Sequence, residues 1–427
     1  MFTNNLLLKN VILAGNSEGL KDILVLDGKI NRVDKVGVIN HTENTPHYDA
    51  KGLLCFPSFI DAHTHMREPG YEYKEDIQSG LTAAAYGGFS AIMCMANTKP
   101  CNDSASVTRF MLEQANKAFP QGPFLYPVGA LTVGLKGEEL APLAELKEAG
   151  CIAFSNDGRP MENSDLFRHA VEYAADLNML VIDHCEDLSL AKGGVMNEGI
   201  SSGRLGLKGQ PVVAESLHVA RDILMAEYLN LPVHLAHIST AQSVELIRWA
   251  KKRGVKVTAE TCPHYLLLDD TALSGYDANY KVSPPLRSIN DVVALSFGLA
   301  EGVIDIMVTD HAPHAAHEKE KTLDEAPFGF TGLDLAVSLS FELVKKGIIS
   351  LTRMVEIWST APASLFNLPV NRFEVGDPAD FFLFDPDEKW VVGRDTLKSK
   401  SVNTPWLGEQ ITGRVKQHWL SGRPLIA

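Results

Sequence analysis

Phe56-Pro57-Ser58-Phe59-Ile60-Asp61-Ala62-His63-Thr64-His65 starts as an apolar run and ends in two histidines one residue apart. A run this short, closed by a His-x-His pair, reads as a buried strand that delivers two imidazoles to its C-terminal end. Strand-like apolar runs recur from there on. With residues 56–62 as the first, they fall at 91–95, 124–128, 151–155, 180–184, 233–238, 255–260 and 305–310, usually separated by a helix-length amphipathic stretch. Eight such units predict an α/β chain folded as a TIM-like (β/α)8 barrel, in which chemical groups gather where the strands end. The polar residues obey that register: His63 and His65 follow strand one, Asn97 strand two and Asp157 strand four, while His184, His237 and Asp310 stand at strands five, six and eight.

The chain ends have a different texture. Residues 6–54 alternate apolar with polar and contain an Asp27-Gly28 hairpin signal, and the tail carries apolar runs at 381–384 and 390–392 before a Ser421-Gly422 turn. Neither end has enough strands for a sheet alone. Residues 1–54 and 366–427 are therefore expected to build one small β-sandwich domain, with 55–365 as the catalytic barrel. The glycine-rich stretch 192–209 lacks a phosphate-loop pattern and reads as a long loop after strand five.

Composition narrows the partners. A formal net charge of −14 with no basic cluster to offset it excludes nucleic acid, and no apolar run is long enough to span a bilayer. Met1 to Asn10 has neither a basic start nor a small-residue cleavage site, so a cytoplasmic protein is expected. The six cysteines, Cys55, Cys94, Cys101, Cys151, Cys185 and Cys262, have no CxxC spacing and read as reduced core residues.

Taken one at a time, His63, His65, His184, His237, Asp310 and the Asp157-Gly158 turn have ordinary explanations as rim or core residues. Their joint placement at one barrel mouth points instead to a metal site, since imidazole and carboxylate suit Zn²⁺ and its neighbours. A carboxylate at strand four could bridge two ions. Water bound to such a cation loses much of its pKa, which provides a nucleophile at neutral pH.

The run from Phe59 to Gly70 resembles the metal-binding signature of dihydroorotases in the amidohydrolase superfamily. Further matches are Met95-Ala96-Asn97-Thr98, Asp183-His184-Cys185-Glu186-Asp187, His237-Ile238-Ser239-Thr240, Glu260-Thr261-Cys262-Pro263-His264-Tyr265, Pro284-Pro285-Leu286-Arg287 and Thr309-Asp310-His311-Ala312-Pro313-His314. The resemblance covers nearly the whole chain and is strongest to the bacterial long-chain (class I) branch. It implies that His63, His65, His184, His237 and Asp310 are metal ligands and that Asp157 bridges one or two Zn²⁺, two being favoured. Hydantoinases, dihydropyrimidinases and allantoinases use a carboxylated lysine as the bridge. This chain has no lysine at the end of strand four; the nearest upstream is Lys147.

The resemblance also implies that Arg67, Asn97 and His314 grip a substrate carboxylate, that the backbone of Pro327-Phe328-Gly329 meets the pyrimidine ring, and that His264 is structural. Ser283 departs from the asparagine common in dihydroorotases and matches the dihydropyrimidinase habit, which puts one ring contact in question. The implied reaction is reversible closure of N-carbamoyl-L-aspartate to L-dihydroorotate in de novo pyrimidine (UMP) synthesis, with Asp310 as ligand and acid/base. A homodimer and a complex with aspartate transcarbamoylase belong to the same expectation. Two competing readings are a hydantoinase-like cyclic amidohydrolase, to whose neutral ring Arg67 would offer nothing, and an inactive scaffold for the transcarbamoylase, which would have lost its ligands.

Overall fold

The computed structural model describes residues 4–16, 18–40 and 45–426. Residues 1–3 of the stretch inspected for a leader lie outside them. Eight parallel strands are hydrogen-bonded in chain order: Phe59–Thr64, Phe89–Cys94, Phe124–Ala130, Ala153–Ser155, Leu180–Asp183, Val233–Leu235, Val257–Thr261 and Ile306–Met307. A parallel bridge between Thr64 and His311, with His65 N–H donating to the His311 carbonyl at 2.8 Å, brings the last strand back to the first. Every residue of the first two strands is buried. This is why the runs are apolar throughout rather than alternating: helices cover the outside of a parallel barrel and side chains fill its inside.

The crossover helices are set by local signals. Asp76 caps Ile77–Tyr86 by accepting from Ser79 N–H, and Asn163 caps Ser164–Asp176 in the same way. In the latter helix Phe167, Ala170, Val171 and Ala174 are buried, a spacing of three and four that gives it one apolar stripe against the sheet.

Two expectations are corrected. The run 56–62 is not one strand: Leu54–Pro57 pairs with Phe381–Val391 in a second sheet, and the barrel strand begins only at Phe59. The chain changes sheets at Ser58, whose N–H goes to Asp380 while that of Phe59 goes to Gly88. An unbroken apolar run hides the switch because both sheets bury it. Residues 192–209 are also more ordered than a plain loop. They hold the helix Ile200–Leu205 and a two-stranded ladder of Met196–Asn197 with Gly209–Gln210.

The second sheet is drawn from both termini, in the order Arg423–Ile426, Gln410–Leu420, Phe381–Val391, Leu54–Pro57, Leu6–Leu13, Leu20–Leu26, Lys29–Lys35, with His47–Asp49 also on Leu6–Leu13. Asp27 and Gly28 both have positive φ (51° and 77°), the geometry of a tight hairpin turn that follows the twist of its strands. Period-two alternation joins this sheet to the barrel. Phe381 and Leu383 pack in the sheet's own core with Leu8, Val11, Ile23 and Trp419, whereas Phe382 and Phe384 point the other way into the barrel core. All six cysteines are free thiols, five of them buried.

Candidate metal centre

Where the barrel strands end, side chains from five of them converge. His63 and His65 project from strand one, so they and Asp157, just past strand four, form one group whose ligand atoms lie within 4.8 Å of one another. Asp157, His184 and His237 form a second, sharing the aspartate. Asp157 Oδ1 is 3.4 Å from His63 Nε2, 3.2 Å from His184 Nδ1 and 3.2 Å from His237 Nε2, and Asp157 Oδ2 is 3.5 Å from His65 Nε2. Asp310 Oδ1 lies 3.1 Å from His65 Nε2 and 3.7 Å from His63 Nε2. Ligands about 2.1 Å from a tetrahedral ion stand roughly 3.4 Å apart, so these spacings suit donors arranged around a divalent cation.

The tautomers point the same way. Glu260 Oε1 accepts from His63 Nδ1 at 2.7 Å and Asn97 Oδ1 accepts from His65 Nδ1 at 2.9 Å, which leaves each Nε2 as the ring atom directed at the aspartates. His63 Nε2 is fully buried and has no hydrogen-bond partner among the described residues. On His184 the roles reverse. Its Nε2 is 3.5 Å from Glu186 Oε2, so Nδ1 is the inward atom.

Electrostatics follow from this crowding. Burial works against ionisation of Asp157, but His63 with hydrogen bonds from His184 and His237 outweighs it and holds the carboxyl well below the usual range. Burial likewise opposes charge on His184, yet Asp157 and Glu186 push it up to about 10. Asp310 is buried too, and the His65 hydrogen bond with the charges of His63 and His65 still lowers it. A set of acids that draws protons onto buried imidazoles this strongly draws a divalent cation for the same Coulombic reason.

Backbone strain accompanies the site. Arg67, His237 and Asp310 have φ of 61°, 31° and 48°, a region that residues with a Cβ rarely occupy. Each costs on the order of 1–3 kcal/mol and persists only where its surroundings hold it. No sequence signal announces it.

A cavity of about 310 Å³ opens over these ligands, walled by Arg67, Asn97, Gly158, Glu186, Gln210, Ser283, Ala312, His314, Phe328 and Gly329. Arg67 does not pair with Glu68 or Glu72; its Nε donates to the Pro313 carbonyl at 3.1 Å and its Nη2 is 3.4 Å from His314 Nε2. Asn97 spends its oxygen on His65, and its NH2 has no partner among the described residues. His314 is engaged on both nitrogens, with Nε2 2.7 Å from the Phe328 carbonyl and Nδ1 3.2 Å from Lys74 Nζ. Burial, with Arg67, Lys74 and Lys319 nearby, holds it neutral far below its ordinary pKa. Ser283 also lines the cavity and donates to Glu186 at 3.2 Å. Pro327 is the one ring-contact candidate that does not line the cavity; its carbonyl accepts from Lys319.

His264 is buried outside the ligand groups, packed on Tyr265 and Phe330, and burial lowers it to about 3. His311 is spoken for by Glu75 at 3.3 Å and by Gly332 N–H. Lys74, Glu186 and Glu260 have no role legible from the sequence, yet the first contacts His314, the second His184 and the third His63. An acid inside the apolar run 255–260 was the available clue for Glu260, because a carboxylate in a doubly buried strand needs donors.

The dihydro-orotase-like family profile matches residues 52–243. The chain is 46% identical over 422 residues to a dihydroorotase of Pelobacter propionicus, covering 98% of this chain and 99% of that one. It is 46% identical over 411 residues to a dihydroorotase of Syntrophus aciditrophicus, covering 96% of each. Among solved structures it superimposes on the L-hydantoinase (dihydropyrimidinase) of Arthrobacter aurescens with TM-score 0.87 at 24% identity, covering 100% of this chain and 96% of that one. Dihydropyrimidinase from Brevibacillus agri gives 0.83 at 24%, over 99% and 95%. At that identity the structures speak for the shared fold alone.

Proposed function

This chain belongs to the dihydro-orotase-like family, and from that premise we propose that it interconverts N-carbamoyl-L-aspartate and L-dihydroorotate at the mouth of its barrel. It is a cyclic amidohydrolase. The observation that carries the substrate assignment is the pairing of two ligand groups that share Asp157 with a guanidinium and a free amide on the adjoining wall.

His63, His65, Asp157, His184, His237 and Asp310 would hold the cations, Zn²⁺ by donor type. Bound there, they supply Lewis acidity toward the amide carbonyl and water of lowered pKa. Arg67 and the Asn97 NH2 hold the substrate carboxylate, an anion that a neutral hydantoin or dihydropyrimidine lacks. In hydrolysis Asp310 takes the proton of the attacking water and passes it to the ring nitrogen as the C–N bond breaks. In synthesis it takes a proton from the ureido nitrogen and returns it to the departing oxygen. His314, neutral and engaged on both sides, donates from Nε2 to the Phe328 carbonyl and accepts from Lys74 at Nδ1, which steadies that wall rather than shuttling protons.

The same proposal places the reaction in pyrimidine synthesis in the cytoplasm, with a homodimer and aspartate transcarbamoylase as the expected associations. No helix among the described residues is long and apolar enough to cross a membrane. Ser283 favours one second reading, a neutral-ring amidase, but its hydroxyl is turned to Glu186. Assay of the isolated protein on dihydroorotate, dihydrouracil and hydantoin, with metal counted before and after chelation, separates the two. Dihydroorotate should be preferred, and chelation should abolish turnover until Zn²⁺ is returned. Full activity in metal-free protein, or preference for a neutral ring, would overturn the assignment.

A further inference from the structure

Phe328 and Gly329 face the cavity at the end of a stretch, 323–329, that has no helix or strand to satisfy its backbone. Irregular chain beside a buried site must find partners for its carbonyls elsewhere, and here side chains provide them. Lys281 Nζ donates to the Leu323 and Ala326 carbonyls, the latter at 2.6 Å, and lies 4.4 Å from the centre of the Phe328 ring. Lys319 Nζ donates to the Pro327 and Gly329 carbonyls, both at 2.9 Å, and the Asn403 amide adds a bond to Gly329 at 3.1 Å. With His314 against Phe328, five carbonyls in seven residues end on a side chain.

Two features set this apart from ordinary loop packing. The lysines are 2% and 8% exposed and stand close enough to repel one another. The charges facing Lys319 are Asp277 and its neighbour Glu318, with Lys281 opposing them; desolvation and that like charge push it down to about 7. Burying two ammonium groups side by side is a costly way to hold a loop. The loop is also tightly seated. Gly329 has φ +114°, and a Cβ there would fall 2.6 Å from the Ala312 side chain, in the segment that follows Asp310.

We propose that Lys319 is a positioning residue for the substrate ring: its ammonium fixes the Pro327 and Gly329 carbonyls and thereby sets the cavity wall formed by Phe328 and Gly329. This rests on the dihydroorotase reading. The role is in binding, not proton transfer, because Lys319 touches the wall and none of the ligand groups.

The test uses the full-length, metal-loaded protein with Lys319→Met and Lys319→Gln. The Met variant should raise KM for dihydroorotate about tenfold or more with kcat within about threefold, the pattern of lost uniform binding. Metal content should stay at the wild-type value, and amide hydrogen exchange of residues 323–331 should quicken. The Gln variant, with two N–H donors on a shorter arm, should fall between wild type and Met, and it decides by the same split if the Met protein does not fold. A loss carried mainly by kcat, a fall in metal content, or an unchanged KM beside faster exchange would each overturn the proposal. A wild-type protein inert on dihydroorotate would instead sink the parent reading, and the exchange measurement made without substrate tells the two failures apart.

Discussion

The two ends of the barrel solve burial in opposite ways. Where the strands begin, Phe59 and Phe89 meet Phe56, Phe382 and Trp358 in a cluster of rings 5–6 Å apart, with Phe56 stacked on Phe382 at 5.2 Å and Phe59 on Trp358 at 5.8 Å. The polar atom of Trp358 is satisfied by Ser340 at 2.8 Å. Where the same strands finish, the buried groups are imidazoles and carboxylates, three residues take left-handed backbone, and the His63 and His237 rings each keep a nitrogen without a partner among the described residues. One end gains stability from area and ring packing. The other gives some of it up for groups held ready to bind and react, and the apolar end is what makes that tolerable.

If that division holds, damage at the mouth should cost activity and damage at the base should cost stability. The largest effect is expected for Asp310→Asn: turnover in both directions should fall about 10²–10⁴-fold while the melting temperature barely moves, because the amide cannot carry the proton. Near wild-type kcat with normal metal content would move the proton transfer to another group. Arg67→Met comes next. Removing one partner of a desolvated charge pair costs on the order of 2–5 kcal/mol, or roughly 30-fold to several thousand-fold in kcat/KM for dihydroorotate. Any detectable hydrolysis of dihydrouracil should be spared, and equal losses on both substrates would make Arg67 a structural residue.

At the base, Phe382→Ala should remove about 3–5 kcal/mol of stability, read by urea unfolding, and leave kcat per folded molecule unchanged. Gly88, with φ +83°, already lets that ring approach to within 2.9 Å of where a Cβ would stand, so little can move in to fill the gap. A fall in kcat matching the fall in stability would mean that the two ends are coupled.

The smallest effect sharpens the comparison through pH. His418 bridges the sheet and the barrel, 2.8 Å from both Ser58 Oγ and the Ala85 carbonyl, and burial lowers it to about 4. A histidine with a depressed folded pKa binds fewer protons folded than unfolded, so its contribution is present above pH 6.5 and is lost as pH falls toward 4. Across that window the loss sums to about 3 kcal/mol, of which only part is felt at pH 5.5. His418→Gln should flatten the stability profile between pH 6.5 and 4. An unchanged slope would assign the acid sensitivity to other groups.

The sequence carried most of the barrel because a parallel strand buried on both faces is a local pattern: a short apolar run, followed by a helix that begins on a capping residue. It failed where two different sheets bury the same run, at residues 56–62, and where short elements lie in glycine-rich chain, at 192–209. The six candidate positions could be gathered at one barrel mouth from their joint places at strand ends, since strand direction fixes which end each one reaches, while their roles as ligands came from the family resemblance.

What each residue does at that end could not be read the same way. The nitrogen that His63 turns toward the aspartates is chosen by Glu260, 197 residues away, and that of His65 by Asn97, 32 residues away. The left-handed backbone of Arg67, His237 and Asp310, the engagement of His314 by Phe328 and Lys74, and the two lysines behind residues 323–329 likewise depend on contacts between distant segments. Periodicity and capping are properties of a few consecutive residues and can be seen in a line of sequence. A tautomer, a strained torsion or a buried ammonium is a balance among groups that only closure of the barrel brings within hydrogen-bonding distance.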